Sequence, residues 1–411
     1  MTFHQQLSRY AELLVVHGLN VQKGQIVNIS TEACHRDFAV LVAQKAYDLG
    51  AKHVDLELLD PRIGRIRIES STEEDLTYVP PYVTNKYDDL VDTVAANLKI
   101  IGSEDPDIFQ GLLPRKVNVV RLARYNAVKK FYDDGIGKSG VHWTVAAAAT
   151  PAWGKKVFPE AKNDKEAEKL LWQAILKACR ADKENCLELW REHNKVLQQR
   201  GQNLTAMKIR NLHFTGPGTD LHVGLSPRAI FKGGGDLSPR GVEFEPNVPT
   251  EEVFTTPDAR LTAGTVAATR PFFINGVLIR DLCMTFKDGE IVDYTASAGL
   301  ETFAEYISSD YGAKRLGEVA LVGVDSPIYQ SGLVFQEILF DENAACHIAV
   351  GSAYKFCING GATMTAEELA NIGCNESSVH TDMMISSEHV NVVAECSDGT
   401  KVPLIRNGAW V

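Results

Sequence analysis

Residues 5–58 read QQLSRYAELLVVHGLNVQKGQIVNISTEACHRDFAVLVAQKAYDLGAKHVDLEL, and this stretch decides the fold class. From residue 5 to 16, apolar side chains recur at helical spacing. Gly18 and Gly24 then bracket a turn into QIVNIS (25–30), which reads as a strand. Residues 38–49 read as a second helix that ends at Gly50, and residues 53–58 as a second strand. Helix, strand, helix, strand is the succession of an α/β domain built on a largely parallel sheet.

Further strands are expected at 117–122 and 141–149. Residues 164–199 are rich in Ala, Leu, Lys and Glu and nearly free of breakers, which predicts one long helix that bridges the two halves. After about Leu204 the texture changes. Strand-like stretches at 208–214, 220–225 and 278–286 are separated by turns that carry Gly216-Pro217-Gly218, Gly233-Gly234-Gly235 and Asp288-Gly289. This half is expected to be an α+β domain on mainly antiparallel sheet. A chain of 411 residues exceeds what one core usually supports, and the expected division is 1–203, including the long helix, and 204–411. No internal repeat or low-complexity linker is visible.

Composition narrows the function. Apolar residues make up 45% and charged residues 23%, which is globular usage. A formal charge of −11 disfavours nucleic acid and anionic membrane as partners, since both require a positive surface. The first twenty residues lack the basic and apolar runs of a signal peptide, and no segment has the roughly 18 uncharged apolar residues of a membrane span. The 8 cysteines are scattered without a CxxC pair, a pattern that suits a reducing compartment and disfavours a zinc knuckle. A cytoplasmic location is expected.

Common catalytic signatures are absent: no HExxH, no GxSxG, no Walker loop, and no GxGxxG between a strand and a helix. Without a following Lys-Ser/Thr, the triple glycine at 233–235 reads as a loop rather than a phosphate cradle. There remain carboxylates and histidines between residues 250 and 385. Glu251 and Glu252 lie between Pro249 and Pro257 in an extended segment, where a regular strand would send one of them to each face. Glu318 opens GEVALVGV, a run apolar enough for a buried strand; taken alone, it reads as lying just outside the buried part. His347 and Tyr354 in DENAACHIAVGSAY are seven apart and on a helix would share a face. By itself His347 reads as a hydrogen-bonded core histidine. His380 and Asp382 in VHTDMMI would point to one face of a strand, an imidazole and a carboxylate able to grip one cation. As a set, these groups supply the mixed nitrogen and oxygen donors that suit zinc, cobalt or manganese.

Six stretches in order, YAELLVVHGLNVQKGQIVNI (10–29), GPGTDLHVGL (216–225), PTEEVFTTPD (249–258), LGEVALV (316–322), FDENAACHIAVGSAY (340–354) and VHTDMMI (379–385), resemble the aminopeptidase T, PepS and AmpS family of two-metal aminopeptidases. The likeness runs nearly end to end. It implies a metallo-aminopeptidase acting on short peptides with a free N-terminus, in which Glu252, Glu318, His347, His380 and Asp382 hold two divalent ions (Zn, Co or Mn, or else Mg) and Glu318 bridges them. It further implies Tyr354 as a catalytic phenol and a homodimer whose N-terminal domains enclose the active sites. Glu251 as general base is a chemical inference added to that. Met383, Ser386 and Cys346 depart from the family's pattern without removing a ligand. Two rival functions are a metal-dependent amidase or deacylase on small amides, and a non-catalytic metal- or peptide-binding protein.

Overall fold

The alternation read from residues 5–58 is realised element for element. In the computed structural model, which describes residues 2–411, the helix Phe3–Leu13 leads to the strand Ile26–Glu32, and the helix Arg36–Asp48 leads to the strand His53–Leu59. The chain forms two compact units. One comprises Met1–Leu112, Val119–Lys195 and Gly235–Thr250; the other comprises Leu113–Asn118, Val196–Gly234 and Glu251–Val411.

The first unit is built on a five-stranded, all-parallel sheet in the order His53–Leu59, Ile26–Glu32, Ala96–Ile101, His142–Ala147, Asn247–Val248. Parallel strands are covered on both faces, and the central ones bury Val27, Ile29, Leu98, Ile100 and Ala146 together with the polar Asn28, Asn97 and Thr144. The first helix is latched to this sheet by Tyr10. Its hydroxyl donates to the Ala147 carbonyl at 3.1 Å and accepts from the Ala147 N–H at 3.2 Å, while its ring stacks on Phe38.

Two expectations fail in this half. Residues 117–122 lie within the helix Pro114–Ala127, not in a strand. Val117, Val119 and Val120 suggested β structure, but Pro114 at the first position and the surrounding Arg, Lys, Leu and Ala favour helix. The strand in question is Ala96–Ile101. Residues 164–199 form two helices instead of one, Asp164–Ala178 and Cys186–Ala206. Between them Arg180 takes a left-handed conformation (φ 57°), and the Cys179 carbonyl left over by the first helix accepts from the Trp190 indole at 2.8 Å. A distant donor for an orphan carbonyl fixes the break, which local propensity does not register.

The second unit carries an eight-stranded antiparallel sheet in the order Glu290–Thr295, Cys283–Lys287, Pro257–Ala267, Thr219–Leu225, Ile209–Gly216, Asn391–Cys396, Lys401–Arg406, Ala409–Trp410. The single strand expected over 278–286 is in fact two pieces, Val277–Ile279 in a small hairpin and Cys283–Lys287 in this sheet. A four-stranded antiparallel sheet runs Val253–Thr255, Leu316–Leu321, His347–Gly351, His380–Met384. One face of each sheet contributes to a single hydrophobic core that includes Leu212, Phe214, Val223, Val319, Ile348 and Met383.

The smaller sheet positions the chemistry, and its register is unusual at one point. Leu316 pairs with Val350 but Glu318 with Ala349, so Gly317 is an extra residue, a bulge. Without it Leu316 and Glu318 would share a face. With it Leu316 joins Val350 in the core, whereas Glu318 turns to the other face together with Ala349 and Asp382, which pair with each other. The bulge leaves no space for a side chain: a Cβ on Gly317 would lie 2.3 Å from the Ser352 carbonyl oxygen.

Gly351, the ladder partner of His380, is equally constrained. It has φ +105°, and a Cβ there would meet the Val379 carbonyl oxygen at 2.0 Å. Gly351→Ala is therefore expected to lower unfolding free energy by about 2–5 kcal/mol, strain and clash together. Gly24→Ala, at φ +82° with open space around it, should cost only about 1–2 kcal/mol. Denaturant unfolding of both variants checks this; equal losses would refute the close approach.

Candidate metal centre

Four neighbouring strands bring together side chains that are far apart in sequence. Glu252 immediately precedes the edge strand, Glu318 lies on the second, His347 opens the third, and His380 and Asp382 are two apart on the fourth. Ala349, between Glu318 and Asp382 in the ladder, is small and leaves the space above it to the longer side chains.

His347 Nε2 is 2.9 Å from Glu252 Oε2 and 3.9 Å from Asp382 Oδ1; His380 Nε2 is 3.2 Å from Glu318 Oε2 and 3.8 Å from Asp382 Oδ1. Two triads result, Glu252–Glu318–His347 and Glu318–His380–Asp382, each with donor atoms within 4.8 Å of one another. Glu318 belongs to both. The five residues expected to act together therefore do converge, on one face of one sheet.

Both imidazoles have their tautomer fixed by main chain. His347 Nδ1 lies 2.9 Å from the Glu342 carbonyl and 3.2 Å from that of Ala345, and His380 Nδ1 lies 2.7 Å from that of Ser352. A carbonyl only accepts, so each Nδ1 carries hydrogen and each Nε2 turns its lone pair to the carboxylates when the ring is neutral. The donor set also fits a cation on another count. Glu252 Oε2 is buried and, despite its 2.9 Å contact with His347, meets no partner in hydrogen-bond geometry. A buried carboxylate oxygen in that state is costly unless a cation completes it.

Electrostatics agree. Burial, with added repulsion from Asp382 and Glu252 and an opposing hydrogen bond from His380, pushes Glu318 up to about 7. Burial alone would depress His380, but the charges of Asp382 and Glu318 outweigh it and raise the ring to about 9. His347 likewise rises well above its ordinary value, burial being outweighed by Glu252 and then by Asp382 and Glu318. The pocket thus attracts positive charge strongly.

Tyr354 follows the third strand by three residues and places its hydroxyl 3.4 Å from His380 Nε2. Burial, then Glu318 and Asp382, hold its phenol well above the usual range, so it stays protonated and able to donate. The His380 side chain is 24% exposed against 1% for His347, so solvent reaches the cluster on the Tyr354–His380 side.

Two readings of single residues need correction. His347 and Tyr354 share no helix, because His347–Gly351 is a strand whose alternation is set by the ladder. Glu318 does not lie outside the buried run; it is 4% exposed in a strand buried at every position. Glu251 is buried beside Glu252, its N–H donates to Asn343 Oδ1 at 2.6 Å, and its charge acts on Arg200.

One acidic residue of the neighbourhood was not singled out from sequence. Glu342 is buried, and its carboxyl is raised well above the usual range by burial and then by Asp382 and Glu252. Its position next to Asp341 in FDENAACH was the available signal. The departures from the family pattern leave the cluster alone: Cys346 and Met383 belong to the core, and Ser386 Oγ accepts from the Cys346 N–H at 2.7 Å.

The family model described as thermophilic metalloprotease (M29) matches residues 3–410. Aminopeptidase PepS of Streptococcus thermophilus is 41% identical, with 100% of this chain and 98% of the relative covered. Aminopeptidase AmpS of Bacillus subtilis (strain 168) is 38% identical, with 100% and 99% covered. The solved structure of wild-type AmpT from Thermus thermophilus superposes with a TM-score of 0.90 at 38% identity, covering 100% of both chains. On these matches the chain belongs to the M29 family of thermophilic metalloproteases.

Proposed function

We propose that this chain removes the N-terminal residue from short peptides, with two divalent cations held by Glu252, Glu318, His347, His380 and Asp382, and Glu318 shared between them. The coarser statement, a metal-dependent aminopeptidase, follows from family membership and from end-to-end likeness to proteins named aminopeptidases. The observation that carries the finer one is the common membership of Glu318 in both donor triads. Bound there, divalent ions would act as Lewis acids, making water a nucleophile near neutral pH and polarising the scissile carbonyl. The nitrogen and oxygen donors suit zinc, cobalt or manganese, with magnesium the least favoured by the imidazoles.

The chain's own groups have separate tasks. Tyr354 donates its O–H to the oxygen that becomes negative as the carbonyl is attacked, a role that needs a phenol kept protonated. Glu251 takes the proton from the attacking water and passes it to the leaving amine. A second assignment of that base rests on a specific observation: Glu342 is buried, and the charges of Asp382, Glu252 and Glu318 bear on it. The 8 free cysteines, 6 of them buried, support a cytoplasmic setting, and no described helix is long and apolar enough to cross a membrane. A homodimer that restricts entry to short peptides is proposed from the family resemblance; a monomeric mass in solution would rule it out.

Initial rates on an aminoacyl reporter and its N-acetylated form test the reaction. The free amine should be required, and Glu318→Gln should abolish turnover in a protein that still folds. Equal cleavage of the acetylated substrate would instead favour an amidase. Tyr354→Phe should lower kcat by about 10²–10³ with metal content unchanged. Of Glu251→Gln and Glu342→Gln, only the variant lacking the base should lose the fall of kcat at acidic pH that the base's protonation causes, and full activity in both would remove a carboxylate base from the scheme.

Metal uptake must expel protons. Glu318 at about 7 and His380 at about 9 in the metal-free site are partly or fully protonated at neutral pH, whereas ligands bind deprotonated. Affinity for Zn²⁺ should therefore climb as pH rises from 6 towards 9 and fall as pH drops. Calorimetry in buffers of different ionisation enthalpy should show proton release, and pH-independent binding would contradict the assignment.

A further inference from the structure

A second group of donors lies on the larger sheet, outside the cluster just described. His213 and His222 are direct ladder partners on the hairpin Ile209–Gly216 and Thr219–Leu225. Their rings stack 3.9 Å apart at 13°. Asp220, two residues before His222 and so on the same face, places Oδ1 2.7 Å from His213 Nε2. Donor atoms of all three residues fall within 4.8 Å of one another.

The scaffold beneath them is rigid. The two strands are joined by only Pro217 and Gly218, and both are interior to the eight-stranded sheet, flanked by Pro257–Ala267 on one side and Asn391–Cys396 on the other. The side chains are open to solvent, so an ion has access and the rings have room to turn about χ2, whose wells are broad. Neighbouring groups on this face are the Asn211 amide, 3.1 Å from His222 Nδ1, and Glu395 and Lys401, which pair at 3.7 Å.

Chemistry then selects the occupant. Two imidazoles stacked this closely repel if both are protonated and cooperate as ligands if both are neutral. Burial and the charge of His213 lower the pKa of His222, which favours the neutral form. Two nitrogens and one carboxylate oxygen suit borderline divalent ions and not the oxygen-seeking Mg²⁺ or Ca²⁺. We propose that His213, Asp220 and His222 form a second, surface metal site for an ion such as Zn²⁺, Ni²⁺ or Cu²⁺, with water completing the coordination and no part in peptide hydrolysis.

Equilibrium dialysis of the full chain against Ni²⁺ at neutral pH, with metal content measured afterwards, tests this independently of the aminopeptidase reading. The wild-type protein should retain one equivalent more than His213→Ala or His222→Ala, and Asp220→Asn should bind that equivalent several-fold more weakly. All three variants should keep the wild-type rate on an aminoacyl reporter, which also reports that they fold. Loading with Cu²⁺ and subtracting the electron paramagnetic resonance spectrum of His222→Ala should leave a signal with two nitrogen couplings. Equal Ni²⁺ uptake by wild type and His222→Ala, or a difference signal with one nitrogen, would overturn the proposal.

Discussion

Carboxylates crowded into a buried pocket set the terms for the second unit. Glu318 has a carboxylate neighbour in each triad, Glu252 in one and Asp382 in the other, with donor atoms within 4.8 Å. Two unit charges about 4 Å apart at an effective dielectric near 20 repel by about 4 kcal/mol, against a total domain stability of about 5–15 kcal/mol. Such a pocket is tolerable only with positive charge inside it. The two imidazoles are positioned to supply it, and the surrounding carboxylates raise both well above an ordinary histidine. A cation entering this cluster would displace the imidazoles' protons, so metal content, pH and stability would be linked in this fold.

Everything else in the second unit serves to keep that crowd in register. The core face of the small sheet is filled by Val319, Leu321, Ile348, Val350 and Met383, so the sheet cannot slip by one residue without burying the acids in the core and exposing the aliphatics. The bulge at Gly317 is the exception that makes the arrangement possible, since it lets Leu316 and Glu318, two apart, serve opposite faces.

What sequence made legible followed from period and composition. The parallel α/β half was readable because its first four elements each carry an unbroken pattern, and His380-x-Asp382 was readable because strand period two puts both on one face. The rest of the candidate donor set, Glu252, Glu318 and His347, was named only through the family resemblance. Other features lay beyond local pattern. The helix Pro114–Ala127 is rich in β-branched residues at its start, the break after Ala178 depends on a Trp190 contact eleven residues from Cys179, and the bulge is marked only by a glycine. His347 looked like a helical residue because its strand is made of small and apolar residues without alternation, all buried. Glu342 was passed over because its relation to Asp382 and Glu252 is purely spatial.

The two histidines of the cluster take their orientation from main-chain oxygens of Glu342, Ala345 and Ser352, not from carboxylate side chains. A backbone oxygen survives almost any replacement of the residue that bears it. Drift in the surrounding sequence can therefore retune the charge and shape of the pocket while leaving the aim of both rings untouched, and a lineage can explore new substrates without first dismantling the geometry of the donor cluster.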